Sequence, residues 1–375
     1  MNENKKIKIV QLFDSYSEFY QPYIPPVIES LRKVEGLKVT VNAFKGKSES
    51  DAVVFPSYYK RKYKEKLYQL THRLYSKLNY AEMIILKKKI DIVHIQHSYL
   101  FPKLLGLLSL PANKRPKIII TLRGGDTYVK PWIQKKWADF YLNYGNKVDA
   151  FITMSENQKN YLHTKWGVNM ERIHVIPISF GEEIVWQSKH PNNDVMKIIS
   201  AFRMCWEKNI EGNLRVVKLL KEKGFPVQYA IYGDGPDVGQ VHYLIDKYNL
   251  SDCVCYHGKI ENIALKKILP KFDFYLQLSH SESLGISVVE AQAWGIPVIV
   301  SNSDGLPESI IDGKTGYTVD PFDNEAAAKH ILDLWKNPNL YNTFSERALN
   351  FAGTKFTISQ EVNKLCDVYL SLIKQ

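Results

Sequence analysis

Two glutamates, Glu282 and Glu290, bracket a glycine in Glu282-Ser-Leu-Gly-Ile-Ser-Val-Val-Glu290. A carboxylate accepts hydrogen bonds from hydroxyl pairs, so either glutamate can hold a sugar. Ile286 to Trp294 reads as a helix that Gly295-Ile-Pro297 stops. Gly285 then stands at a helix N-terminus, where free N–H groups and the helix dipole suit a phosphate. At 1.5 Å rise per residue, Glu290 lies roughly 8–10 Å further along than Glu282. A nucleotide sugar spans that gap. Its sugar would meet Glu282, its diphosphate the amides of Leu284, Gly285 and Ile286, with Ser283 also on the donor side, and its ribose Glu290. The alternative is two solvated charges followed by a plain helix stop.

Two cations, Arg203 and Lys208, follow the apolar run Met196–Phe202. At a strand end they would neutralise a diphosphate and the charge that builds on a leaving nucleotide. Ordinary ion pairs with Glu207 or Glu211 are the competing account. The chain contains no Asp-x-Asp to hold a metal ion, and chemistry done by two cations requires none.

These residues need a scaffold that brings strand ends together. Strands are expected at 7–13, 38–44, 91–96, 117–122, 150–155 and 173–178. A second series follows at 196–202, 227–233, 253–257, 272–279, 297–302 and 316–320, with helix-length segments between most of them. Such alternation predicts α/β architecture with parallel sheets covered by helices. Two series predict two doubly wound domains, residues 1–186 and 187–356. A C-terminal helix over about 357–375 would pack back on the first. The polar stretch Gln187–Asp194, with Pro191 inside it, reads as the linker. Ligands on such sheets bind beyond the carboxyl ends of strands, which points to a cleft between the domains.

Here the residues carry a resemblance. Glu282 to Glu290, continued by Ala-Gln-Ala-Trp-Gly-Ile-Pro-Val298 and by Ser303-Asp-Gly-Leu-Pro-Glu-Ser-Ile-Ile-Asp-Gly-Lys-Thr-Gly316, resembles the signature of family 4 retaining glycosyltransferases. It covers most of residues 196–322. The resemblance implies the GT-B fold: two Rossmann-like domains facing an interdomain cleft, with the donor in the C-terminal one. It implies sugar transfer with retention of anomeric configuration and no cofactor or metal, with a UDP-sugar favoured over a GDP-sugar. Arg203 and Lys208 sit where the family keeps an Arg and a Lys for the diphosphate, although Phe202 replaces the glycine usual before the Arg. Tyr232-Gly-Asp-Gly-Pro236 resembles the family's Gly-x-Gly-Pro turn and places Gly233 near the donor. Lys259 and Ile260 match the segment that contacts the base. In isolation these are a glycine-rich turn and a plain strand end. Glu282 is expected to position the sugar rather than attack it.

The first half departs further from the family. In Thr121-Leu-Arg-Gly-Gly-Asp126, Arg123 stands where many relatives carry a histidine. An arginine cannot act as a base, but it can bind a phosphate or a sugar hydroxyl. Gly124 allows close backbone approach. Asp126 would orient a sugar or, alternatively, cap the next segment. His94 reads as a core histidine and His97 as an acceptor-side group. The family's Gly-Gly pair after the first strand is missing from Asp14–Tyr23.

Composition narrows the setting. Of the formal charge of +11, residues 1–183 contribute 30 Lys+Arg against 17 Asp+Glu, and residues 184–375 contribute 20 against 22. The basic half would meet a membrane, a phosphorylated substrate or nucleic acid. Within it, Tyr58–Lys89 is basic and aromatic, with Tyr63, Leu67, Leu70, Leu74, Leu78, Ala81 and Ile85 at helical spacing. That stripe is expected to pack on the sheet while the lysines meet anionic lipid. The four cysteines form no Cys-x-x-Cys pair, which fits a reduced chain. Ile7–Phe13 reads as a first strand rather than a signal-peptide core. No run approaches the ~18 apolar residues of a spanning helix. A cytoplasmic enzyme, peripheral on the inner face of the membrane, with a glycan or lipid-linked acceptor in cell-envelope polysaccharide assembly, is the expectation. The rivals are a nucleotide-sugar epimerase or hydrolase of the same fold and, from charge alone, a nucleic-acid-binding protein. No recognised nucleic-acid motif supports the last, and no nucleic-acid partner is expected.

Overall fold

The computed structural model describes residues 6–16, 21–46, 52–71, 77–181 and 194–374. The chain divides into two compact units, Met1–Pro177 with Glu361–Gln375, and Ile178–Gln360. The first holds a seven-stranded sheet of β1 (Ile7–Ser15), β2 (Leu37–Lys45), β3 (Val53–Val54), β4 (Ile92–Ile95), β5 (Lys117–Thr121), β6 (Ala150–Thr153) and β7 (Ile173–Val175). Its order is β3-β2-β1-β4-β5-β6-β7 and every pairing is parallel. The second holds β8 (Met196–Ala201), β9 (Val227–Tyr232), β10 (Val254–Gly258), β11 (Phe274–Gln277), β12 (Val298–Ser301) and β13 (Gly316–Val319). These are ordered β10-β9-β8-β11-β12-β13, again all parallel.

The strands form because their residues are apolar on both faces, as helix-covered parallel sheets require. In the second unit Ile198, Tyr229, Ile231, Phe274 and Leu276 face one core, with Leu214 and Val217 of helix Ile210–Glu222. Ile199, Tyr275, Val298 and Val300 face the other, with Val288 and Ala291 of helix Ile286–Ala293. In each sheet the order reverses beside the first strand: between β1 and β4, and between β8 and β11. Those are the switch points where doubly wound sheets leave a ligand crevice.

All twelve expected strands are present, and β3 is an additional two-residue edge. Three expectations change. The expected linker lies, except for Asp194, outside the described residues, and the division falls earlier, at Ile178. Residues 178–181 belong with the second unit because Phe180 N–H donates to Phe356 O (3.1 Å) and Lys266 Nζ to Phe180 O (2.8 Å). The loop expected at Asp14–Tyr23 is described only at 14–16 and 21–23.

The third change concerns the apolar stripe of residues 63–85, which is not one surface. Helix Tyr58–Thr71 turns Tyr59, Tyr63, Leu67 and Leu70 outward, with Leu70 86% exposed. Its inward contacts include Tyr68 packed on the core, Arg61 over the Phe44 ring, Glu65 accepting from Tyr80 N–H and Gln69 donating to Leu78 O. A new helix, Tyr80–Lys87, starts behind an Asn79–Glu82 capping box. Only Leu78, Ala81 and Ile85 of the stripe reach the core; Leu74 lies outside the described residues. The break re-phases the stripe, so its first half is exposed where burial was expected.

Candidate active site

The second unit gathers the candidate donor residues at the carboxyl ends of β8, β9, β10 and β11. After β11 the chain turns through Leu278–Leu284 and enters helix Ile286–Ala293 at Gly285, whose φ is +81°. That left-handed conformation favours glycine, and a Cβ there would lie 2.6 Å from Leu306 Cδ1, which would have to move aside. Ser283, Leu284 and Gly285 are buried, and Ile286 is half-buried.

Glu282 is largely covered (16% exposed) and makes an ion pair with Lys208 Nζ (13% exposed). Its Oε2 also accepts from Gln277 Nε2 at 3.0 Å, and Gly305 N–H donates to its carbonyl at 2.9 Å. Lys208 therefore pairs with the far glutamate, not with Glu207 or Glu211. The turn carrying it is fixed from behind. Asn213, 1% exposed, donates to Lys208 O (3.0 Å) and Asn209 O (2.8 Å), and its Oδ1 accepts from Leu278 N–H (3.0 Å). His280 N–H adds a bond to Glu207 O at 2.7 Å. The loops after β8 and β11 are thereby one hydrogen-bonded body.

The turn after β9 is joined to the same body. Phe202 N–H donates to Tyr232 O (3.1 Å), Met204 N–H to Asp234 O (3.1 Å) and Asp237 N–H to Met204 O (3.0 Å). Gly233 has φ +135°, and a Cβ on it would fall 1.8 Å from Phe202 O. The glycine that brings these loops together thus sits at 233, which leaves Phe202 free to pack on the core. Arg203 is exposed between them. At the end of β10, Lys259 is exposed and Ile260 packs, half-buried, against the core on the side of helix Ile286–Ala293.

Glu290 lies inside helix Ile286–Ala293, only 4% exposed. Burial pushes its carboxyl above the usual range, opposed by a 2.7 Å hydrogen bond from Asn262 Nδ2 to Oε1. The Tyr275 hydroxyl accepts from Ala201 N–H (3.1 Å) and lies 2.7 Å from Ser287 Oγ, joining β8 to the same helix.

In the first unit, His97 follows β4 and is 3% exposed. Its Nδ1 accepts from Asp14 N–H (3.2 Å) and its Nε2 donates to Gln21 Oε1 (2.7 Å). Burial first, then the Arg123 charge, lowers its pKa to about 4, so it is a neutral imidazole with both nitrogens engaged. Arg123 is half-buried over the Tyr23 ring (5.3 Å) and donates to Gln96 Oε1 (2.9 Å). Gly124 has φ +114°. Asp126 is buried, and its carboxylate accepts from Arg123 N–H, Gly124 N–H (3.0 Å) and Ser98 Oγ (2.5 Å). These bonds give Asp126 the work of holding the Arg123–Gly124 turn; its oxygens are already occupied by the loop it closes.

Sequence patterning does not single out Gln277, Asn213 or Tyr275. The available signal was a polar group inside an otherwise apolar strand or helix face. No group of three or more potential metal-binding side chains occurs among the described residues.

Two sheets of this order, each carrying its candidate residues at strand ends beside a switch point, define the GT-B class of glycosyltransferases. Residues 182–351 match the family described as glycosyl transferases group 1, and residues 27–178 match glycosyltransferase family 4. The chain belongs to these family 4, group 1 glycosyltransferases. It is similar to an uncharacterized 41.2 kDa protein in the cps region of Klebsiella pneumoniae, 29% identical over 81% of this chain and 87% of that one. It is also similar to the alpha-monoglucosyldiacylglycerol synthase of Acholeplasma laidlawii, 26% identical over 96% of each chain. In fold it matches Anabaena HepE, solved in complex with UDP and glucose. That match has a TM-score of 0.74, 16% identity, and covers 97% of this chain and 100% of that one.

Proposed function

We propose that this glycosyltransferase moves a sugar from a nucleoside-diphosphate sugar, a UDP-sugar in preference to a GDP-sugar, to a hydroxyl acceptor with retention of configuration and without a metal ion. The carrying observation is the Lys208–Glu282 pair, held by Gln277 immediately before the N-terminus of helix Ile286–Ala293. With no donor present, ammonium and carboxylate neutralise each other. A donor replaces that pairing: its diphosphate takes Lys208, Arg203 and the amides at Ser283–Ile286, while a sugar hydroxyl takes Glu282. The buried Glu290 offers its remaining acceptor capacity to the ribose. Gly233, Lys259 and Ile260 line the nucleotide end. Negative charge building on the leaving diphosphate is met by fixed cations and helix amides, which is the electrostatic work a metal would otherwise do. His97, Arg123 and Gly124 form the acceptor side.

The acceptor is a glycan or a lipid-linked glycan in cell-envelope polysaccharide assembly. The relative in a cps region and the lipid-glycosylating relative support that reading. Helix Tyr58–Thr71, with outward tyrosines and leucines among lysines, supports work at an anionic membrane surface; we place that surface on the cytoplasmic side.

The deciding experiment incubates the protein with UDP-sugars and GDP-sugars in excess EDTA and follows thermal stability and products. The expected result is a rise in melting temperature with UDP-sugars and, by proton NMR of the first-formed product, an axial linkage from an axial donor. An inverted product would refute retention. Loss of all turnover in EDTA, restored by a divalent cation, would refute the metal-free reading. Stability unmoved by any nucleotide would remove the donor site.

A further inference from the structure

We propose that Tyr369, on the C-terminal helix Ile358–Lys374, is a positioning residue that sets the Arg123 guanidinium through a one-way chain of hydrogen bonds across the first unit's sheet. Arg123 Nη2 donates to Gln96 Oε1 at 2.9 Å. Gln96 Nε2 donates to Gln11 Oε1 at 2.9 Å, and Gln11 Nε2 donates to the Tyr369 hydroxyl at 3.0 Å. Tyr369 lies 2.7 Å from His94 Nδ1, and His94 Nε2 lies 2.7 Å from Thr121 Oγ1. Thr121 ends β5, two residues before Arg123, so the chain ends within two residues of where it begins.

Arg123 can only donate, which orients Gln96 and Gln11 in turn; beyond Tyr369 the direction is the one we assign through the His94 tautomer. Tyr369 has one proton and accepts from Gln11, so that proton goes to His94 Nδ1. His94 must then carry its own proton on Nε2 and give it to Thr121. Burial and the nearby Arg123 charge lower its pKa to about 3, which keeps the ring neutral as the chain requires. Gln11, His94 and Tyr369 are fully buried, and Thr121 and Gln96 nearly so. In such surroundings no member can turn without leaving a polar atom unsatisfied, so the orientation of one fixes the next. Packing a helix on a sheet requires only apolar contact. A file of polar groups that runs along one face of the sheet, from β1 and β4 to the end of β5, and stops at Arg123 is explained by a need to aim that side chain, clasped between Gln96 and the Tyr23 ring.

This rests on the acceptor-side reading of Arg123, and the test separates the two. In the full-length protein, slow rotation of the Arg123 guanidinium should give separate Nη–H signals by NMR, and His94 should show the Nε2–H tautomer between pH 5 and 8. Tyr369→Phe should speed guanidinium rotation roughly tenfold, the weight of about one hydrogen bond. Gln11→Met, which cuts the chain without touching His94, should do the same and serves if the tyrosine variant does not fold. An Nδ1–H tautomer, or unchanged guanidinium rotation in a folded variant, would overturn the proposal. Separately, Arg123→Ala with a synthetic octyl-glycoside acceptor tests the acceptor-side reading. Wild-type transfer by that variant would sink that reading and leave the NMR result standing on its own.

Discussion

At the scale of single residues, the proposed donor site is a set of charges whose cost of confinement is offset by partners that a bound donor would replace. Lys208 and Glu282 are each over four-fifths covered. Removing one leaves the other half-buried without its counter-ion, a change that ordinarily destabilises. Lys208→Met should therefore lower kcat about a hundredfold or more, as loss of one charge-stabilising group does, and cost some stability as well. Steady-state kinetics beside a melting curve will separate the two. Glu290→Gln is the cleaner probe, because a glutamine oxygen still accepts from Asn262. Its melting temperature should stay near wild type while UDP binding by calorimetry weakens about tenfold, or ~1.4 kcal/mol; unchanged affinity would take Glu290 out of the site. The charged members of this set were legible in the sequence because carboxylates and cations at strand ends are conspicuous. Gln277 and Asn213 were not. A buried amide announces itself only through the partners that satisfy it, and those come from other loops.

At the scale of elements, parallel strands were legible in place and order, with ends off by up to three residues (β7 stops at Val175, not 178), since each is an apolar run bounded by a turn, and the core demands both faces. What pattern could not show was how tightly the loops beyond them approach. Gly233 illustrates this: in sequence it is one more glycine in a turn, and in space its missing Cβ admits Phe202 O. Gly233→Ala must push the backbones of 202 and 233 apart. The expected outcome is a melting temperature lower by several degrees and nucleotide binding at least tenfold weaker, beyond the ~1 kcal/mol typical of a strained φ alone. Native melting and affinity would show that the loops are not coupled. Helix Tyr80–Lys87 offers a test by pH. Burial raises its Glu82 carboxyl to about 7, against an ordinary value of 4.5. The folded chain thus keeps a proton that the unfolded chain releases. That contribution is fully present below pH 4.5 and is lost as pH rises through 7. The melting temperature of Glu82→Gln, measured relative to wild type, should climb between pH 5 and 8 by the equivalent of roughly 2 kcal/mol. A flat difference would mean Glu82 is ionised in the fold.

At the scale of the whole molecule, the unequal distribution of charge acquires a location. The basic half includes helix Tyr58–Thr71, where Lys60, Arg61, Lys62, Lys64 and Lys66 are accompanied by one acid, Glu65. Periodicity alone assigned its tyrosines and leucines to the core, because an apolar stripe in a sequence does not say which surface it covers. In the structure Tyr59, Tyr63, Leu67 and Leu70 are from half to more than four-fifths exposed. Among the described residues no helix is long and apolar enough to cross a membrane. On the proposed reading, a helix of this kind would lie in the interface, its apolar side chains among the acyl chains and its lysines at the headgroups. The two contributions separate experimentally. Each basic residue near an anionic surface adds ~1 kcal/mol that salt screens, whereas buried apolar area is insensitive to moderate salt. Flotation with vesicles of phosphatidylcholine and phosphatidylglycerol should recover the wild-type protein, with binding reduced but not abolished at 0.5 M salt. Changing Lys60, Lys62 and Lys66 to Gln should remove the salt-sensitive part. Tyr63→Ser with Leu70→Ser should remove the remainder, and neither variant should alter UDP binding. Binding lost entirely to salt would leave only an electrostatic contact and make the outward leucines irrelevant to it; no binding to anionic vesicles at any salt would dismiss the membrane surface altogether.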